Sequence, residues 1–266
     1  MSLTHGSGPF GGRPAGRFNR EIDPEGLLYL EESPKWIRVR FAGETVADSR
    51  RPRLLHEHDR LPVFYFPPED VRMDLMHPSG RAETDPTKGE RRFYTLRVDG
   101  RTAEDAASTF SGEPLVEGLV TFDWGAMDEW LEEDEPLFGH ARDPYSRIDV
   151  RETSRHVTVS IGGQTVADSR RTRVLFEAGL PPRWYFPIED VRMDLLGATD
   201  RQTTCAYKGF ASYWSVGDEE DIAWTYRDPL FDALPVKHMV AFFNERVDLE
   251  VDGEVHDPPR TQWSQG

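Results

Sequence analysis

F-A-G-E-T-V-A-D-S-R-R at residues 41–51 and I-G-G-Q-T-V-A-D-S-R-R at residues 161–171 are two versions of one stretch, 120 positions apart. The register runs without a gap from 41–75 onto 161–195, where 22 of 35 positions are identical, and it ends on a second repeated motif, E-D-V-R-M-D-L, at 69–75 and 189–195. Beyond that block, Thr84, Lys88 and Gly89 still fall 120 before Thr204, Lys208 and Gly209, although the residues between them differ. A solenoid repeat is roughly 20–50 residues, so a unit of this length reads as a whole globular domain written twice.

Length agrees: 266 residues suggests about two domains, each large enough to bury its own core. The expected boundaries are a flexible Gly- and Pro-rich arm over 1–26, a first domain over 27–140, a linker over 139–145 carrying Pro144, and a second domain over 147–256. Past Pro258-Pro259 the tail is polar and is expected to be as dispensable as the arm. The two copies are expected to pack against one another.

The single cysteine, Cys205, excludes a disulfide within the chain and a Cys-x-x-Cys zinc knuckle, so neither a metal nor a cofactor is expected. Residues 1–19 hold no apolar run of secretory length, and nothing approaches the ~18 apolar residues of a membrane span. A cytoplasmic protein without membrane contact is the expectation. A net charge of −16 repels nucleic-acid phosphates and anionic lipid, which argues against nucleic-acid binding and otherwise means solubility.

The dominant hydrophobic period is two. Val157, Val159 and Ile161 alternate with polar residues, Gly162-Gly163 supplies a two-residue turn, and Thr165-Val166-Ala167 returns, which is a β-hairpin. Val191, Met193 and Leu195 alternate likewise, as do Val247, Leu249 and Val251 ahead of Asp252-Gly253, and these too read as half-buried strands. Leu234 to Met239 and Ala103 to Ser108 are the segments suited to short helical turns. The fold class expected is all-β: two similar compact antiparallel domains in tandem, each an open barrel or two packed sheets.

Three stretches, T-V-A-D-S-R-R, Y-F-P-I-E-D-V-R-M-D-L-L at 185–196 and T-T-C-A-Y-K-G-F-A-S-Y-W-S-V at 203–216, make the chain resemble the bacterial "domain of unknown function 427" family across both copies. The resemblance implies a compact β domain with a tent-like pair of antiparallel sheets and no established activity. The family has also carried a nucleotidyltransferase-type label. This sequence lacks the Gly-Ser followed by paired carboxylates that would hold two catalytic metals. The second copy follows the family pattern at Cys205, Tyr207, Lys208, Gly209, Tyr213 and Trp214, with Ala206 where proline is expected. The first copy has Asp85, Thr87, Lys88, Gly89, Phe93 and Tyr94 there and needs a gap of about four residues after Leu96, so it reads as the scaffold copy.

The candidate site is therefore placed in the second domain. Tyr185, Tyr207, Tyr213, Trp214 and Trp224 supply aromatic rings, and Lys208 and Arg192 supply cations, the makings of a pocket for a flat or amphipathic small molecule. The alternatives are a filled core for the rings, an ion pair with Asp190 or Asp194 for Lys208, and a charge ladder with both aspartates for Arg192. Cys205 beside Lys208 is the candidate nucleophile, against an inert buried thiol; the sequence puts neither His156 nor His238 beside it as a base. Three functions remain open: small-molecule binding, a structural or protein-interaction module, and a thiol-dependent enzyme. No Walker loop, dinucleotide fingerprint, zinc spacing or serine nucleophile elbow accompanies them.

Overall fold

The computed structural model describes residues 3–261, 263 and 264. The chain divides into two compact units between Asp143 and Pro144. In the first, the strands are β1 (Leu28–Glu32), β2 (Ile37–Phe41), β3 (Glu44–Ser49), β4 (Arg53–Glu57), β5 (Val63–Tyr65), β6 (Met76–Asp85), β7 (Gly89–Val98), β8 (Arg101–Gly112), β9 (Val120–Phe122), β10 (Glu129–Glu132) and β11 (Glu135–Leu137). In the second they are β12 (Ile148–Glu152), β13 (Val157–Ile161), β14 (Gln164–Ser169), β15 (Arg173–Glu177), β16 (Arg183–Phe186), β17 (Leu196–Cys205), β18 (Gly209–Val216), β19 (Glu219–Tyr226), β20 (Val240–Phe242), β21 (Asp248–Val251) and β22 (Glu254–His256).

The second domain has a seven-stranded antiparallel sheet, β12-β15-β16-β20-β19-β18-β17, and a four-stranded one, β14-β13-β21-β22. The first has β11-β10-β2-β3 as its four-stranded sheet, and its β1-β4-β5 and β6-β7-β8-β9 segments are joined by the Phe66–Val120 bridge, so strand order repeats. No barrel closes. The core lies where the two sheets face: Val157, Val159 and Ala167 from the short sheet pack in one cluster with Phe186, Ala223 and Phe242 from the long one.

The repeated motifs tie the sheets together. Arg192 N donates to Val166 O at 2.9 Å, and Ser169 Oγ and Arg171 Nη2 both donate to Asp190, each at 2.6 Å. The first copy repeats this with Arg72 on Val46 and with Ser49 and Arg51 on Asp70. The Gly162-Gly163 turn has φ of 57° and 78°, the left-handed pair a two-residue hairpin requires.

Several expectations are corrected. Residues 188–195 form two 3-10 turns, Ile188–Asp190 and Met193–Leu195, instead of a strand, because Pro187 and the hold of Ser169 and Arg171 on Asp190 turn the chain. The segment Ala103 to Ser108 lies in β8: pairing of Tyr94 with Ala107 and burial of Ala106 and Ala107 override its alanine content. Of the segment Leu234 to Met239, only Leu234 to Val236 is helical, as the end of the 3-10 helix Phe231–Val236. Residues 3–26 hold no strand or helix, yet they touch the first domain: Asp59 N donates to Thr4 O at 2.6 Å, and His58 Nδ1 lies 2.8 Å from Phe10 O. The C-terminal tail is not idle either, since Trp263 packs on Phe243 with centroids 6.1 Å apart. No helix among the described residues is long and apolar enough to cross a membrane.

Candidate functional site

The shared Lys-Gly pair sits at the turn between two long strands of each domain. Gly89 has φ of 81°, and a Cβ there would meet Ser111 O at 2.4 Å, so only glycine fits. Gly209 repeats the left-handed geometry at φ of 90°. The turn sends the preceding lysine inward. Lys208 is 8% exposed and Lys88 2%, each held by the glutamate 31 residues earlier, Glu177 and Glu57. The ion pair proposed with Asp190 or Asp194 is therefore replaced by one with Glu177. Burial pulls the Lys208 ammonium pKa down, but Glu177 first, then Cys205 and Tyr185, hold it above its ordinary value.

One substitution separates the two turns. Lys88 also pairs with Asp85 at 3.2 Å, whereas Cys205 stands at the position of Asp85, half-buried and free. His156 is engaged by Asp168 at 2.7 Å. Among the described residues no hydrogen bond joins it or His238 to the thiol.

The second-domain aromatics are core residues. Tyr185 is 1% exposed, and its hydroxyl accepts from Trp224 Nε1 at 3.1 Å. Burial pushes the Tyr185 phenol up to about 12, with Lys208 and the Trp224 hydrogen bond opposing. Burial likewise raises Tyr226 well above its usual value. Tyr213 shares a 2.7 Å hydrogen bond with Thr203 and lies opposite Trp224 across β18 and β19. Tyr207 is buried and Trp214 half-buried. Arg192 is not part of this group: it forms a bidentate pair with Asp194 at 2.8 and 2.6 Å, both side chains more than half exposed. Asp190 does not join that pair, so the expected ladder with both aspartates is not formed.

Beside Trp224 the wall is completed by Arg183 and Glu245, a buried bidentate pair with both contacts at 2.6 Å. The guanidinium lies 5.7, 5.8 and 5.5 Å from the rings of Trp224, Phe243 and Trp263. Thr261 Oγ1 donates to Glu245 at 2.6 Å. Burial raises the Glu245 pKa, but the hydrogen bonds from Arg183 and Thr261 prevail and keep it below the usual range.

The corresponding wall of the first domain is open. Its cavity of about 370 Å³ is lined by Lys88, Glu57, Tyr65 and Phe110 at the base and by Phe64, Phe122, Trp124 and Trp130 at the side. Strand pairing explains the space. Phe93 faces Ser108 where Tyr213 faces Trp224, so a serine replaces the indole; it does not line the cavity but accepts from Arg91, which does. Asp123 stands for Phe243, each donating its N–H into the equivalent place on the neighbouring strand, Ala106 and Ile222. Val63 stands for Arg183, opposite Leu55 and Leu175. Trp124 and Trp130 stack with centroids 4.4 Å apart and planes 4° from parallel.

Arg91 enters this cavity from β7. Its Nε donates to Ser108 Oγ at 3.0 Å, its guanidinium sits 4.4 Å from the Phe93 ring and 5.6 Å from Phe110, and it has no carboxylate partner among the described residues. His140 closes another side, and burial lowers its pKa. Sequence comparison missed the exchange at Ser108 because the offset falls from 120 to 116 between Leu96 and Ser108, inside the segment that needs a gap, while Arg91, still in register with Ala211, belongs to no motif. The signal was there in principle, since a tryptophan exchanged for serine in a buried strand leaves a volume to account for.

Among the described residues no group of His, Cys, Asp or Glu is arranged to hold a metal ion. No protein with a curated description matches the sequence. The family model described as "Domain of unknown function (DUF427)" matches twice, over residues 29–133 and 149–253, and the chain belongs to that family as a tandem of two copies.

Proposed function

We propose that this chain binds a small aromatic molecule bearing an anionic group, and that the binding site is the first-domain cavity. The observation that carries this reading is Arg91, a half-buried guanidinium with no carboxylate partner among the described residues, set in a wall of rings. A cavity of about 370 Å³ is within the size range of small-molecule sites. Lys88 contributes little free charge, because Glu57 and Asp85 already hold it.

The sequence places such a pocket at Tyr207, Lys208 and their neighbours in the second domain. The geometry supports the first-domain counterpart better, since Trp224, Phe243 and Arg183 occupy the positions that Ser108, Asp123 and Val63 leave small. Fluorescence titration with anilinonaphthalene sulfonate, an aromatic anion, tests the reading. The expected result is one saturable site whose affinity falls about tenfold in Arg91→Leu, the scale of one lost charge-assisted contact. An affinity unchanged by Arg91→Leu contradicts it.

The second reading, a thiol-dependent activity at Cys205, is favoured by the half-buried thiol lying at the position where the first copy pairs its lysine with Asp85. Its test is alkylation of native protein by iodoacetamide. Reaction at neutral pH at a rate above that of a free thiol supports it, and protection until unfolding removes it.

A further inference from the structure

We infer that the second domain carries a separate site for a small multivalent anion, in a cleft of about 740 Å³ between the loop before β15 and the segment before β20. This is independent of the first-domain cavity in position and in residues. The cleft brings Arg170, Arg171, Arg173 and Lys237 together against two carboxylates, Glu152 and Glu189, in a chain whose net charge is −16. A cationic concavity on an acidic molecule focuses potential on small anions.

The cations divide by what already holds them. Arg171 is paired with Asp190 at 2.6 Å, and Arg173 with Glu152 at 2.9 Å, so these two stiffen the walls. Arg170 has no partner among the described residues, and Lys237 has only Asp228, whose side chain is 96% exposed. An exposed pair of that kind is weak and exchanges readily for a ligand.

Two further observations set the cleft apart from its counterpart in the first domain. Lys237 and Glu117 occupy the same bridge position, on Tyr226 and Phe110 respectively, so the charge is reversed between copies. The next residue is His238 at φ of 61°, where the first copy has Gly118 at 76°. A left-handed backbone is free for glycine and strained for histidine, and retained strain of this kind clusters at binding sites. In addition, Thr172 stands where the first copy has Pro52; it lies in the cleft wall, and its buried hydroxyl has no hydrogen-bond partner among the described residues. Such unsatisfied groups are rare outside sites where a ligand or water completes them.

Arg170, Lys237 and the His238 imidazole together offer donors from two separate segments to an anion with several oxygens, phosphorylated or polycarboxylated. Isothermal titration of the full chain with pyrophosphate and, separately, with citrate distinguishes these sources, the tighter probe naming the ligand class. We expect one saturable site for at least one probe, weakened about tenfold or more by Lys237→Glu, which copies Glu117, and unchanged by Arg50→Ala at the first-copy equivalent of Arg170. His238→Gly is expected to weaken binding and to raise Tm by a few degrees, because it removes the strain. Absence of saturable binding for both probes overturns the inference. So does equal weakening by Arg50→Ala and Lys237→Glu, and so does a His238→Gly variant that is more stable with affinity intact.

Discussion

At matching places on one fold, the first domain carries Ser108, Asp123 and Val63 and the second carries Trp224, Phe243 and Arg183. Everything beneath is shared: an inward lysine, its glutamate, and a buried tyrosine, Tyr65 or Tyr185. One copy fills the space above this base with an indole, a phenyl ring and a buried ion pair. The other leaves a cavity edged by a stacked tryptophan pair and an arginine. Duplication thus kept the backbone and the charged base and varied the wall.

The largest expected effect falls on the filled wall. Arg183→Val copies the first domain but leaves Glu245, whose side chain is 0% exposed, without its partner. Breaking a buried pair from one side costs about 3–5 kcal/mol. Pairing it with Glu245→Gln is expected to recover part of this, because the orphaned charge is gone. Urea unfolding measures the loss, and hydrogen exchange of β16 and β20 shows whether it is confined to the second domain. A single substitution that costs no more than the double one would show that the pair is not what holds this wall.

Acid is expected to act on the filled wall on the same ground. The Glu245 pKa is lower folded than its ordinary 4.5, so its stabilisation is complete above that ordinary value and is lost as pH falls through the folded one. The Arg183→Val, Glu245→Gln protein should lack this component of the acid transition. Alkali should act on both domains and further on the second, where Tyr226, also raised by burial, stands for Phe110 of the first. Tyr185 and Tyr65 are both raised by burial, Tyr185 to about 12 from 10.0. The neutral phenols therefore stabilise fully below pH 10, and that contribution is lost as pH rises from there towards the folded values. Ultraviolet titration of tyrosinate, with melting curves alongside, checks both ends.

A smaller effect is expected from Trp263→Ala. The half-buried ring lies on Phe243 and beside Arg183, and losing that contact should cost about 1–2 kcal/mol. A melting curve unchanged by the substitution would return the tail to the dispensable role that its polar composition suggests.

Most of the fold was legible. The 120-residue register, the Gly162-Gly163 turn and the period of two in Val157 to Ile161 are local signals, and the strands and hairpin follow from them. The run Val191 to Leu195 has the same period and yet turns, because Ser169 and Arg171 pull on Asp190 from another part of the chain, a contact no window of sequence contains. The candidate site was legible as residue types and less so as a place. Tyr185, Lys208, Tyr213 and Trp224 do gather, but as a filled core. Arg91 and Ser108 gave no motif, and the β7–β8 hairpin runs on past Leu96↔Ala103 to Val98↔Arg101 where its counterpart turns after Val216↔Glu219, which shifts the register that would have aligned Ser108 with Trp224.

The most direct test of open against filled is to exchange the two walls. Titration of anilinonaphthalene sulfonate against Ser108→Trp and Trp224→Ser, each confirmed folded by circular dichroism, reads which domain holds the accessible cavity. The expected result is loss of the probe site in Ser108→Trp, with the wild-type site retained in Trp224→Ser. Retention of full binding in Ser108→Trp, with loss in Trp224→Ser, would place the site in the second domain and contradict the assignment of the first as the binding copy.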